Sequence, residues 1–239
     1  MRSFRKMSFV SQTTDAHARS VTFLTDDSVH LRGTYWDPRE NGHTSVLLLH
    51  DFRSDRSVWD PYIAAFRSRG WGILAVDLRG HGESVRQDMR ADLLQPNDSD
   101  LRSPLSYPND VRAALAFLAR QPKSDAGRLA MIGVGLGSDL AYAASGRGWG
   151  TASTVCIGLD EGRAREVAGS GPFAPRSIYL LYGADDMLSA GAVPSFLQSA
   201  SYPAEAHLYE GTASGGMALF SEKNPEILAR SIAWIERTI

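Results

Sequence analysis

Residues 128–145, Arg-Leu-Ala-Met-Ile-Gly-Val-Gly-Leu-Gly-Ser-Asp-Leu-Ala-Tyr-Ala-Ala-Ser, run from an apolar stretch through three alternating glycines into a helix-forming stretch. That is the grammar of a strand, a very tight turn and a helix. In a nucleophile elbow of the G-x-S-x-G kind, such a turn holds a serine above a sheet, where its hydroxyl can attack a carbonyl carbon. Here Gly133 and Gly137 flank Gly135, so the turn is kept and the attacking atom is missing. Ser138 is expected to bond backbone groups of the first helical turn. Asp139 is expected to meet the positive end of the helix dipole. A different reading takes Gly133-x-Gly135 as a dinucleotide fingerprint, with Asp160 ending the next strand as the ribose-binding acid; against it, Ser138 stands at the third glycine position.

The elements around this stretch decide what it can be. Residues 19–25 and 28–36, rich in β-branched and aromatic side chains, read as an antiparallel hairpin turning at Asp26-Asp27. Residues 45–50, Ser-Val-Leu-Leu-Leu-His, form a continuous apolar run of the kind buried on both faces of a sheet. From there strands and helices alternate: a helix over 61–69 closed by Gly70, a strand over 72–77, a helix over 107–120 and a strand over 128–132. A helix over 136–145 and strands over 151–158 and 177–182 follow, then a helix over 190–199, a strand over 205–209 and a closing helix over 223–238. The last presents Leu228, Ile232, Trp234 and Ile235 as its apolar side. The alternation predicts an α/β fold with a mostly parallel, doubly wound sheet. Only about seventeen residues separate the strands ending near Gly158 and starting near Ser177, which leaves no room for a large cap. The long stretch 85–108 reads as irregular, with a short helix expected around 88–94; it is either a loop bordering the site or a surface excursion.

Composition narrows the function classes. A chain of 239 residues with 43% hydrophobic content can bury a large core, read here as an N-terminal segment over 1–18, loosely ordered, and a single domain over 19–239. The 25 basic and 27 acidic residues give a net charge of −2, which provides no general attraction to nucleic acid or anionic membrane. A small-molecule ligand or a protein partner remains. Cys156 is the only cysteine, so no intrachain disulfide and no multi-cysteine metal site is expected. It reads as a buried strand residue. No segment has signal-peptide or membrane-span character, so a soluble cytoplasmic protein is expected, with a secreted form carrying a removed leader as the alternative.

Four segments, Leu47-Leu-Leu-His50-Asp51-Phe52, Asp77-Leu-Arg-Gly80-His81-Gly82-Glu-Ser84, Gly133-Val-Gly135-Leu-Gly137 and Tyr182-Gly183-Ala-Asp185-Asp186, follow one another in an order and setting that resembles the α/β-hydrolase fold superfamily. The chain is most similar to its small dienelactone-hydrolase-like and esterase-like members, over roughly residues 20–239. The resemblance implies a serine, an acid and a histidine in that chain order. Carried onto this sequence, those catalytic positions are Gly135, Asp186 and Ser214, the last through Tyr209-Glu-Gly211-Thr-Ala-Ser214-Gly215. The acid is retained; the nucleophile and the base are not. His207 is the last histidine of the chain and is expected inside the final strand, short of the turn.

The resemblance also implies an oxyanion hole built from the backbone N–H groups of Phe52 and Leu136, with His50 beside it and His81 shaping its turn. Where the family has a glycine after that histidine, this chain has Asp51. A carboxylate there would repel a developing oxyanion unless it points to solvent. The candidate ligand-binding set is therefore Phe52, Leu136, His50 and Asp51, with no metal and no cofactor expected. The leading reading is a degenerate, non-catalytic α/β-hydrolase-fold protein that binds a small molecule or a protein partner. The alternative is a hydrolase of carboxylic esters or related substrates with an unconventional catalytic set.

Overall fold

The computed structural model describes residues 18–39, 42–96, 104–184, 186–210, 216–220 and 225–239. Among the described residues, nine strands form one sheet: β1 (Ala18–Leu24), β2 (Val29–Trp36), β3 (Ser45–Leu49), β4 (Gly72–Val76), β5 (Arg86–Gln87), β6 (Leu129–Val134), β7 (Ser153–Ile157), β8 (Arg176–Gly183) and β9 (Ser201–Tyr209). Their order is β1-β2-β4-β3-β6-β7-β8-β9, with the short β5 pairing β2. β1 and β2 are antiparallel to each other and β2 to β4, while β4, β3, β6, β7, β8 and β9 run parallel. The expected doubly wound, mostly parallel sheet is therefore present. The ends of β3, β6 and β8 lie along one carboxyl edge, where such sheets place their sites.

Alternate residues of the buried strands feed two separate cores. Leu47, Leu49, Leu74, Val76, Met131 and Cys156 face α2 (Pro108–Ala119), α3 (Leu136–Gly146), α4 (Glu161–Ala168) and α5 (Met187–Ser199). Val46, Leu48, Ile73, Ile132, Val134 and Ile157 face α1 (Asp60–Arg67) and α6 (Pro225–Thr238). Burial on both faces is why residues 45–49 and 129–134 carry almost no polar side chain. Cys156 is fully buried in β7, as its apolar surroundings suggested.

Two local expectations fail. Residues 88–94 form a turn and irregular chain after β5, not a helix; Leu94 is buried and its N–H bonds the carbonyl of Val85 at 2.9 Å. In the other direction, the connection after β7 contains a helix, α4, that the apolar periodicity did not reveal. Its sequence, Glu-Gly-Arg-Ala-Arg-Glu-Val-Ala, is polar, and the readable signal was its cap. The Asp160 carboxylate accepts the N–H of Arg163 at 3.0 Å. The carboxylate considered for a ribose thus closes a helix end. The N-terminal segment through residue 17 lies outside the described residues.

Candidate functional site

The elbow is built in full at the backbone level. Gly135 has φ 54° and ψ −118°, a region that side-chain-bearing residues occupy only under strain. Its N–H bonds the carbonyl of Ile157 at 3.0 Å, and its own carbonyl receives the N–H groups of Ser138 at 2.9 Å and Asp139 at 3.1 Å. The flanking glycines are needed for packing: a Cβ on Gly133 would lie 2.0 Å from the carbonyl oxygen of Gly137, and one on Gly137 would lie 2.4 Å from that of Leu49. Strand β6 thus delivers residue 135 to the carboxyl edge and α3 leaves from it at once.

What stands over residue 135 is Asp51, just past the end of β3. Its Oδ1 accepts the N–H of Phe52 at 2.7 Å and the N–H of Leu136 at 2.9 Å. These are the two donors expected to form an oxyanion hole, and 2.7–3.1 Å is the separation at which such donors act on an oxyanion. The two N–H groups do converge, and the oxygen on which they converge belongs to the chain. Asp51 does not extend away into solvent: a Cβ at residue 135 would come within 2.0 Å of its Oδ1, and one at Gly216 within 2.9 Å of its Oδ2. The carboxylate therefore occupies space that a side chain at 135 would need.

Both nearby histidines are spent on the backbone. His50 is fully buried; its Nδ1–H donates to the carbonyl of Asp51 at 2.7 Å, and its Nε2 accepts the N–H of Leu78 at 3.0 Å. Burial pushes its pKa down to about 4. His81 repeats the pattern, donating from Nδ1 to the carbonyl of Arg79 at 2.9 Å and accepting the N–H of Arg53 at Nε2, 3.0 Å away. Each ring is held neutral in a single tautomer with no free nitrogen, so neither can take a proton from a reacting group without breaking the turn it supports. Of the four expected ligand-binding residues, Phe52, Leu136 and Asp51 meet in one place, and His50 lies behind them as a brace.

Asp186 sits in the turn between β8 and α5, with its carbonyl accepting the N–H of Ala190 at 2.8 Å; Ser214 lies outside the described residues. His207 is in β9, opposite Leu181 of β8, which pairs Ile157, which pairs Val134. That register puts it three strands from the elbow, about 14 Å at ~4.8 Å per strand, with its ring against Tyr209. It stays within the strand, as expected. Ser138 is fully buried, and its Oγ bonds no backbone group among the described residues, contrary to the bond expected of it; the polar side chain it meets is the Cys156 thiol. Asp139 does more than meet a helix dipole. Fully buried, it receives the N–H of Asp160 at 2.8 Å and pairs with the Arg163 guanidinium, tying α3 to α4. Burial pushes its pKa up to about 7, against the pull of Arg163.

Comparison with known proteins agrees with this architecture. The sequence model of the alpha/beta hydrolase family matches residues 46–235. Among curated proteins, the uncharacterized protein YfhR of Salmonella typhi is 26% identical over 160 residues, 65% of this chain and 47% of that one. Its counterpart in Salmonella typhimurium is 25% identical over 173 residues, 71% of this chain and 52% of that one. The chain spans about half the length of these curated relatives. Among solved structures, an esterase of Pyrococcus furiosus superposes with a TM-score of 0.70 at 17% identity, covering 97% of this chain and 95% of that one. A dienelactone hydrolase from Anabaena variabilis gives a TM-score of 0.67 at 16% identity, covering 93% and 99%. Likeness at that identity speaks to the fold, whereas the family match extends from β3 into α6 and takes in the elbow. With its sheet order, its elbow backbone and that match in agreement, this chain belongs to the alpha/beta hydrolase family.

Proposed function

We propose that this chain is a non-catalytic member of its family, which uses the carboxyl edge of the sheet to bind a small molecule or a protein partner. The family's triad positions are taken as Gly135, Asp186 and Ser214, with only the acid retained. The observation that carries the reading is the seat of Asp51: its carboxylate accepts both N–H groups on which an oxyanion would depend, above a residue with no side chain. Loss of the nucleophile or the histidine from a comparable triad costs about 10⁶ in turnover, and the residual ~10³–10⁴ over water comes from oxyanion stabilisation and binding. Here that residue of activity is opposed as well. A negative oxygen already receives the donors, and a retained acid without its histidine lacks the general base that a hydroxyl or a water would need.

The test is labelling and turnover. Incubation with an active-site-directed fluorophosphonate is expected to give no stoichiometric adduct, and short-chain p-nitrophenyl esters are expected to be hydrolysed no faster than by a denatured control. An adduct located at one serine by mass spectrometry would establish the alternative, a hydrolase of carboxylic esters with an unconventional catalytic set.

A further inference from the structure

We infer that the N–H groups of Phe52 and Leu136 form an anion site which the chain keeps filled with its own Asp51 carboxylate, an internal occupant that shuts out external carboxylates and acyl oxygens. The inference goes beyond the functional proposal, because it concerns what excludes ligands from this place and would hold whether or not some other part of the chain turned over an ester.

Three features make the seat a built one. The donors come from different elements, Phe52 from the segment after β3 and Leu136 from the first residue of α3, yet they meet on a single oxygen at 2.7 and 2.9 Å. α3 is eleven residues long, so its N-terminal end adds a partial positive charge where the carboxylate lies. The room for the carboxylate is made by glycines from two separate segments, since a Cβ at 135 would meet Oδ1 at 2.0 Å and a Cβ at 216 would meet Oδ2 at 2.9 Å. Both glycines also lie at positive φ, 54° and 71°, so the backbone turns that favour glycine there leave the same space open to the carboxylate. Asp51 is also held from behind, because its carbonyl receives the Nδ1–H of the buried His50 at 2.7 Å and the N–H of Ser54 at 3.2 Å. The backbone that presents the carboxylate is thereby fixed, and an external anion would have to displace an occupant tethered to its own site, whose effective concentration no free carboxylate matches.

The consequence is a latent site for small carboxylates, opened by removing one side chain. The variant Asp51→Gly, at neutral pH and constant ionic strength, is expected to show a saturable rise in Tm as sodium formate replaces sodium chloride, and the parent protein no such rise. In the same titration the amide proton resonances of Phe52 and Leu136 should move together and saturate at the same formate concentration. The variant Asp51→Asn keeps the shape and loses the charge; both amide resonances should shift relative to the parent, and formate should have no effect. A folded Asp51→Gly protein that ignores formate would overturn the inference. So would an equal response in the parent, a response reproduced by chloride alone, or an Asp51→Asn spectrum in which neither amide moves. If Asp51→Gly does not fold, the amide shifts in Asp51→Asn decide. None of these readings is an activity, so failure of the inference is told apart from failure of the functional proposal, which labelling and turnover test.

Discussion

Two turns at the carboxyl edge of the sheet carry the features by which this family is recognised, and they have gone opposite ways. In the turn after β4 the polar side chains are present and used by the chain. The Asp77 carboxylate accepts the N–H groups of Arg56 at 2.8 Å and Glu83 at 2.9 Å; Arg79 bonds Asp110 through its backbone N–H and its Nε, both at 2.8 Å, and grips Asp27 with its two terminal nitrogens. His81 braces Arg53, and Ser84 ties the carbonyl of Asp77 to the N–H of Arg32. In the turn after β6 the backbone is complete, and the residue at its apex, Gly135, has no side chain. The contrast separates two reasons for a motif to exist. The Arg-Gly-His-Gly-x-Ser turn answers to folding alone, so it identifies the architecture equally well in a chain with or without hydrolytic chemistry. At the elbow the backbone demand is met by glycines, and the Asp51 carboxylate lies above them on the N–H groups of Phe52 and Leu136.

If the turn after β4 is a folding device, breaking it should cost more than any change at the elbow. Arg79→Met would leave the Asp110 carboxylate, which is fully buried, without its counter-charge. Removing one partner of a buried pair typically costs about 3–5 kcal/mol. Urea denaturation should show a loss of that size, and adding Asp110→Leu should recover part of it, because the apolar pair leaves no orphaned charge. A loss below about 1 kcal/mol would place Arg79 among ordinary surface charges and end the contrast.

A slightly smaller effect should follow pH through His50. Its folded pKa of about 4 lies below the unfolded value near 6.5, so the unfolded chain binds the proton more tightly. The stability contributed by neutral His50 is then fully present above pH 6.5 and is lost as pH falls toward 4, about 3 kcal/mol in all. Asp110 and Asp139, pushed up to about 6 and about 7 by burial, act with the opposite sign over an overlapping window. The measurement is therefore a difference: stability at pH 7 minus stability at pH 4.5, in the parent and in His50→Gln. The variant should be weaker throughout and show the smaller loss on acidification. An identical loss in both would mean that His50 is not held neutral.

How much of this was legible in the sequence follows from where information resides. The two-sided apolar runs, the alternation of strand and helix and the four family-like segments are local, and they placed the sheet, the elbow and the pairing of Phe52 with Leu136. α4 does not show in the apolar periodicity because its sequence is polar, and its one strong signal, Asp160, also fits the spacing of a ribose ligand, whereas the structure uses it as a cap. Asp51 was visible as an anomaly, but not as an occupant. Its seat depends on a residue 85 positions away in sequence and on the bare Cα atoms of Gly135 and Gly216, and no periodicity records that. The same holds for Asp139, whose partner Arg163 sits on α4.

The finest test of the elbow's half of the contrast is a coupling measured at Gly135. Gly135→Ser should be destabilising for two separable reasons: φ of 54° is costly for any side chain, and the new Cβ would fall 2.0 Å from Asp51 Oδ1. Gly148→Ser shows what a positive φ in open space costs, because Gly148 has φ 65° and nothing within 4 Å of its Cβ position, and it should cost about 1–2 kcal/mol; at Gly135 the ψ of −118° adds to that cost. Repeating Gly135→Ser in an Asp51→Gly background removes the collision while leaving the backbone angle as it was. The cost should drop by about 1–3 kcal/mol, the usual size of an overpacking penalty, and what remains is the backbone cost of φ 54° and ψ −118°. A cycle closing within about 0.5 kcal/mol of additivity would mean that the two positions do not share space, and the carboxylate would then have to lie elsewhere in solution. A clear coupling would show that a serine at 135 and a carboxylate at 51 exclude one another, so a side chain can enter at 135 only if the carboxylate leaves the N–H groups of Phe52 and Leu136.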